Sequence, residues 1–339
     1  FHPRFAYTIS MNAATLKKRL GFGSAMILIL GGLFYFDFQS RGSQWDGVLV
    51  AGVLTAMLLV GVLEMRKLVQ SAGYDILPIT TIVAVVLMLS LRLFSFHAYA
   101  WSVHDDTLLS SLLYACTLLA SIPFIIVFLF LEQMLRHRTE NAIQHIMASL
   151  LTIIYIGVLG GVFLSIRLNF SSIFFIIFLL TIKSADIGAF FVGSAIGKHK
   201  LMPTISPKKS WEGLFGGLAF SALVFLALSY CIDLNWETDR LISSPLDQMR
   251  HEKINKLMMY FCWGPDWIIC LIGAALGLVG QFGDWCESLL KRSAGVKDSA
   301  SLIPEFGGVL DLLDSPLIAA PFYSTILTLL AHCLPSIFI

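Results

Sequence analysis

The sequence predicts an all-α, polytopic membrane bundle, and three observations predict it. Mean hydropathy is +0.81. Charged residues make up 13% of the chain, against about 25% in an ordinary soluble domain. Apolar runs of the length needed to cross a hydrocarbon core, about 20 residues, recur from one end of the chain to the other. The net charge of +1 points to no class of partner, and no nucleic-acid partner is expected. Cys116, Cys231, Cys262, Cys270, Cys286 and Cys333 stand singly. They form no CxxC or His/Cys pairing, so they read as small buried apolar residues rather than zinc ligands.

The length rule gives about nine spans, near residues 20–37, 46–64, 76–96, 107–132, 142–166, 171–195, 212–232, 266–290 and 316–339. The first apolar run is followed by FDFQSRG rather than a small-residue cleavage site, which argues against a cleavable leader. The loops alternate in charge. Lys17, Lys18 and Arg19 precede the first span, Arg66 and Lys67 follow the second, and Arg136 and Arg138 follow the fourth. Lys198, Lys200, Lys208 and Lys209 follow the sixth, and Lys291, Arg292 and Lys297 follow the eighth. By the positive-inside rule, residues 1–19 and both lysine-rich loops are cytoplasmic and the C-terminus is outside. The loop 233–265 carries both signs of charge and an amphipathic stretch near 246–261, and reads as a small interfacial helix.

Polar residues within the spans gather from the sixth span onward. Residues 20–170 are therefore expected to serve packing or oligomerisation, and 171–339 to carry the chemistry. The most polar long run is QFGDWCESLLKRSAGVKDSASLIPEFGGVLDLLDS, 281–315. Charged groups at membrane depth cost roughly 2.5–3.5 kcal/mol each on insertion scales, so such a cluster marks a functional site. Asp284, Glu287, Ser288 and Lys291 share one helical face by spacing, and Asp311 and Asp314 lie three apart. Carboxylates from the two segments could converge on a hard cation such as Mg²⁺. Lys291, Arg292 and Lys297 supply positive charge for phosphates, and Gly307 and Gly308 allow close backbone approach.

Two further constellations precede this run. Lys183 and Asp186 lie three apart at the end of the sixth span; they form a self-neutralising pair or line the same polar cavity. In ISPKKSWEG, Ser206-Pro207 suits a helix start with Ser206 as N-cap. Free N–H groups there, with Lys208 and Lys209, would make an anion site.

Together these stretches resemble the signature of the phosphatidate cytidylyltransferase (CDP-diacylglycerol synthase) family. Ser288, Leu290, Lys291, Arg292, Lys297, Asp298, Pro304, Gly307, Gly308, Asp311 and Asp314 match its spacing. GKHKLMPTISPKKSWEG and Asp186 are also similar. The resemblance covers about 183–217 and 281–321. Phe306 stands where the family has His, and Leu312 where it has Arg.

With the site on the cytoplasmic side by loop charge, and the membrane read as a bacterial inner membrane first and endoplasmic reticulum second, the resemblance implies that CTP and phosphatidic acid condense to CDP-diacylglycerol and pyrophosphate. It implies Mg²⁺ on Asp284, Asp311 and Asp314, with a second monovalent or divalent cation allowed, and suggests a homodimer. Lys291 joins those acids as catalytic. Lys183, Asp186, Ser206, Lys208, Lys209, Glu287, Ser288, Arg292, Lys297, Asp298, Gly307 and Gly308 are expected to bind substrate. The competing readings are a transporter of an anionic substrate and a weakly active or non-catalytic member of the family.

Overall fold

The computed structural model describes residues 28–40, 47–101, 107–231, 257, 265–297 and 307–333. The segment 1–19, nearly all of the loop 233–265, Asp298, Pro304 and Phe306 lie outside them. Helix α1 is Leu28–Gln39. It is followed by α2 (Val48–Ser71), α3 (Pro78–Trp101), α4 (Thr107–Arg136) and α5 (Ala142–Thr152). A π-helical turn, Ile153–Val158, runs into α6 (Leu159–Asn169), and α7 is Ser172–Ile196. Strands β1 (Lys200–Met202) and β2 (Ser206–Ser210) lead to α8 (Trp211–Tyr230). The last two helices are α9 (Asp266–Ser293) and α10 (Leu310–Cys333).

Among the described residues, seven helical segments are long and apolar enough to cross a membrane: Val48–Ser71, Cys116–Arg136, Ala142–Asn169, Ser172–Ile196, Trp211–Tyr230, Asp266–Ser293 and Leu310–Leu330. The runs expected at 20–37 and 76–96 hold shorter apolar helices, Leu28–Gln39 and Pro78–Phe94. The protein is a multi-pass helical membrane bundle. Its outer surface is correspondingly oily: α4 exposes Phe124, Val127, Phe128 and Leu135.

The core is aromatic where α6, α7 and α10 meet. Phe178 stacks on Tyr323 with ring centroids 5.1 Å apart, and Phe163 lies 5.1 Å from Phe175. The Tyr323 hydroxyl, fully buried, donates to the Phe174 carbonyl at 3.2 Å, as a buried phenol must find a partner. Nearby, Arg167 of α6 and Asp37 of α1 form a fully buried ion pair at 2.8 Å. Ser172 donates to the same Asp37 oxygen at 2.6 Å, so one carboxylate ties three helices together.

Helices α7, α8 and α9 pack with their backbones nearly touching. A Cβ on Gly188 would meet Phe220 Cβ and the Gly216 carbonyl, and one on Gly277 would meet Ser221. Small residues permit such approach in membranes, where packing rather than water exclusion drives association.

One expectation is corrected. The helical bundle carries a short hairpin, in which Lys200–Met202 pairs antiparallel with Ser206–Ser210. Ser206 accordingly sits in a strand and caps nothing. The N-cap of α8 is Ser210, whose side chain accepts from the Gly213 N–H at 3.1 Å. Both serines have the right chemistry, but strand pairing keeps residues 206–210 extended and delays the helix by one turn.

Candidate active site

The site is built where β2, α7, α8, α9 and the start of α10 come together. A cavity of about 450 Å³ is lined by Asp186 from α7, Lys200, Lys208 and Lys209 from the hairpin, and Gln281 and Asp284 from α9. Gly193, Gly213, Phe190 and Leu214 complete its walls. The hairpin thus swings two of the predicted lysines over the end of α9. Lys209 Nζ bonds Asp284 Oδ2 at 2.6 Å and lies 5.4 Å from the centre of the Trp285 ring. Lys208 remains exposed. Asp284 also accepts from Ser288 Oγ at 3.3 Å, the i to i+4 contact that the spacing predicts.

One turn on, the two acidic segments meet. Lys291 Nζ bonds Glu287 Oε2 at 3.1 Å within α9 and Asp311 Oδ1 at 2.6 Å on α10. Glu287 is fully buried, and Lys291 and Asp311 are 12% and 16% exposed. Asp311 Oδ2 accepts from the Gly308 N–H at 2.7 Å. The turn before it uses Gly307 at φ 91°, a conformation that an L side chain resists. Asp314 is 5% exposed and lies within electrostatic range of Asp284, Lys183 and Glu287. Lys183 and Asp186 form a pair at 3.7 Å, both over a third exposed. Asp186 also lines the cavity, so the two roles weighed for it coexist.

Other predicted residues sit at the margin. Arg292 donates through Nε to the Ile205 carbonyl at 3.2 Å, pinning the end of α9 to the hairpin. Lys297 is exposed. Ser206 is half-buried in β2, and Leu312 is half-buried on α10. Asp298 lies outside the described residues.

Among the described residues, no group of three or more acidic, histidine or cysteine side chains is arranged to hold a metal ion. The point where the α9 and α10 carboxylates converge is held by the Lys291 ammonium instead. The donor set nevertheless suits a hard cation, since it is rich in carboxylate oxygen. Glu287 lies against both Asp311 and Asp314 as well as Lys291.

Several residues at the site were not singled out from the sequence. Gln281 is 4% exposed, lines the cavity, and its Nε2 has no hydrogen-bond partner. An amide one turn before Asp284 in an apolar helix was the available signal. Tyr155 sits in the π-helical turn, 5% exposed, with its hydroxyl unpartnered. Asp314, Glu287 and Asp284 lie within its electrostatic range. Single π turns are frequent at functional sites, but no sequence pattern announces one. Glu64 of α2 is fully buried. It accepts from the Val309 and Leu310 N–H groups at 2.9 and 2.7 Å.

This fold and site define a multi-pass helical membrane protein in which three lysines and two carboxylates line one cavity. The chain belongs to the cytidylyltransferase family, whose pattern matches residues 17–330. It is similar to a Staphylococcus aureus (strain COL) protein named phosphatidate cytidylyltransferase, 34% identical over 181 residues, covering 52% of this chain and 57% of that protein. A Staphylococcus epidermidis protein of the same name matches at 34% over 181 residues. One from Haemophilus influenzae matches at 35% over 145 residues, covering 43% of this chain and 42% of that protein. The matched stretches thus span about half the length of these relatives.

Proposed function

We propose that this protein is a phosphatidate cytidylyltransferase, condensing CTP with phosphatidic acid to CDP-diacylglycerol and pyrophosphate. The observation that carries the reading is the closing of the motif in space: Lys291 of α9 bonds Asp311 of α10 across 20 residues of sequence. The relatives' shared name and the family membership support it.

A phosphate oxygen of the lipid attacks the α-phosphorus of CTP. A new P–O bond forms, the bond to the α,β-bridging oxygen breaks, and pyrophosphate leaves with that electron pair. Near neutral pH the lipid phosphate is already a competent nucleophile, so no side chain is needed as a general base. Both substrates are polyanions, and bringing them together requires positive charge. Lys208 and Lys209 line the cavity from the hairpin side and would hold phosphate there, with Arg292 and Lys297 at the rim. Lys291 would orient Asp311 and Glu287. Asp284, Asp311 and Asp314 would hold Mg²⁺, with a second cation allowed. When bound, the metal neutralises phosphate charge and stabilises the leaving group. The meeting of Glu287, Asp311 and Asp314 in one buried cluster supports that reading of the donor set.

In this reading the protein lies in a bacterial inner membrane with about nine spans, its N-terminus and site at the cytoplasmic face, and works as a homodimer. The test is an assay of purified protein with labelled CTP, phosphatidate and Mg²⁺. CDP-diacylglycerol and pyrophosphate should form in equal amounts, and EDTA should stop both. Failure to form CDP-diacylglycerol with both substrates and Mg²⁺ present would overturn the assignment.

A further inference from the structure

We infer that Glu64, in the second helix, is a positioning residue for the reaction: it holds the turn that presents Asp311 and Asp314. The inference rests on the function proposed above for its catalytic meaning, but its geometry stands independently.

A helix begins with N–H groups that have no partner inside the helix. Most helices satisfy them with a local cap from the preceding residues. Helix α10 does so from a distance. Its Val309 and Leu310 N–H groups donate to Glu64 Oε1 and Oε2, at 2.9 and 2.7 Å. The adjacent Gly308 N–H donates to Asp311 Oδ2 at 2.7 Å. Three successive amides are therefore taken by two carboxylates, one from α2 and one from the site itself. The remaining Asp311 oxygen bonds Lys291 at 2.6 Å, and Lys291 bonds Glu287. A chain of contacts runs from α2 through the turn to the acids of α9. Glu64 is fully buried, so water is not at hand to replace it. Helix α2 lies against α10 at this point: a Cβ on Gly61, one turn earlier, would be in ordinary contact with Leu310.

A carboxylate can accept both N–H groups, whereas an amide accepts one and turns its own NH₂ toward the other. Glu64→Gln is nearly isosteric and should still break one bond. The turn would shift, and with it Asp311. Misplacing a reacting group by about 1 Å can cost a hundredfold in rate. The molecule also contains its own control. Glu132 of α4 accepts from the Ile79 and Thr80 N–H groups of α3 at 3.2 and 2.7 Å. It is 7% exposed and is not among the residues of the cavity or the Lys291 cluster.

The experiment compares wild type, Glu64→Gln, Glu64→Asp and Glu132→Gln in detergent. Glu64→Gln should lower kcat roughly 10- to 100-fold with KM for CTP little changed. Glu64→Asp, which keeps both acceptors, should recover part of the loss. Glu132→Gln should lower Tm by a similar amount and keep kcat near wild type. Amide hydrogen exchange over residues 307–313 is read in parallel and needs no substrate; it should quicken in Glu64→Gln and not in Glu132→Gln. Unchanged exchange there, or equal loss of kcat in both Gln variants, would overturn the inference. A wild type that turns over no CTP would sink the proposed function instead, and the exchange result would still decide whether Glu64 holds the turn.

Discussion

The N-terminal and C-terminal helices treat buried charge in different ways. In α1 to α6, Glu64 apart, buried acids are answered within those helices. Arg167 faces Asp37, and Glu132 sits on two helix-end amides with Arg136 3.7 Å away. In α7 to α10 the carboxylates Asp186, Asp284, Glu287, Asp311 and Asp314 crowd around Lys183, Lys209 and Lys291. There one cation is shared, since Lys291 serves both Glu287 and Asp311. On the function proposed above, this shared cluster is what meets substrate.

Three substitutions sharpen or break that contrast. The largest effect is expected at the C-terminal cluster. Asp314→Asn should lower turnover on the order of 10²- to 10³-fold while the protein elutes and melts as a folded species. Near-normal turnover would mean that the acidic cluster has no catalytic part. Next comes the N-terminal pair. Arg167→Met strands Asp37 in the core and should cost about 3–5 kcal/mol of stability, with KM for CTP unchanged in the fraction that folds. A thermal scan read beside a steady-state assay checks both halves.

The smallest effect belongs to the surface. Asp75 accepts from Arg66 at 3.0 and 2.9 Å. The bonded guanidinium, helped by Gln70 and the Ile76 N–H, holds its carboxyl below the usual carboxylate range despite opposing desolvation. A carboxyl with a depressed folded pKa stabilises above its unfolded pKa and loses that contribution as pH falls through the folded value. Asp75→Asn should therefore cost under about 1 kcal/mol at neutral pH and flatten part of the acid limb of the stability profile. An unchanged acid limb would show that the pair contributes nothing measurable.

Seven of the expected spans were legible because membrane thickness imposes a length that hydropathy reveals directly. The face shared by Asp284, Glu287, Ser288 and Lys291 was legible because helical spacing fixes it, as the Ser288–Asp284 and Lys291–Glu287 contacts bear out. The hairpin was not. Lys200–Met202 is three residues long, too short for alternation to register, and Ser206-Pro207 imitates a helix start. Glu64 was invisible for another reason. Its partners are backbone amides 245 and 246 positions away, and a lone acid in an apolar span carries no mark of which helix it will cap.

The bare contact among α7, α8 and α9 bears on what the cavity admits. At Gly217 a single added methyl would collide with the Gln281 amide and the Ala185 carbonyl, so α8 has no slack against α7 and α9 beside the cavity. Walls built from touching main chains cannot swell around an oversized guest. On the function proposed above, a fixed outline there selects among head groups by exclusion before any bond is made.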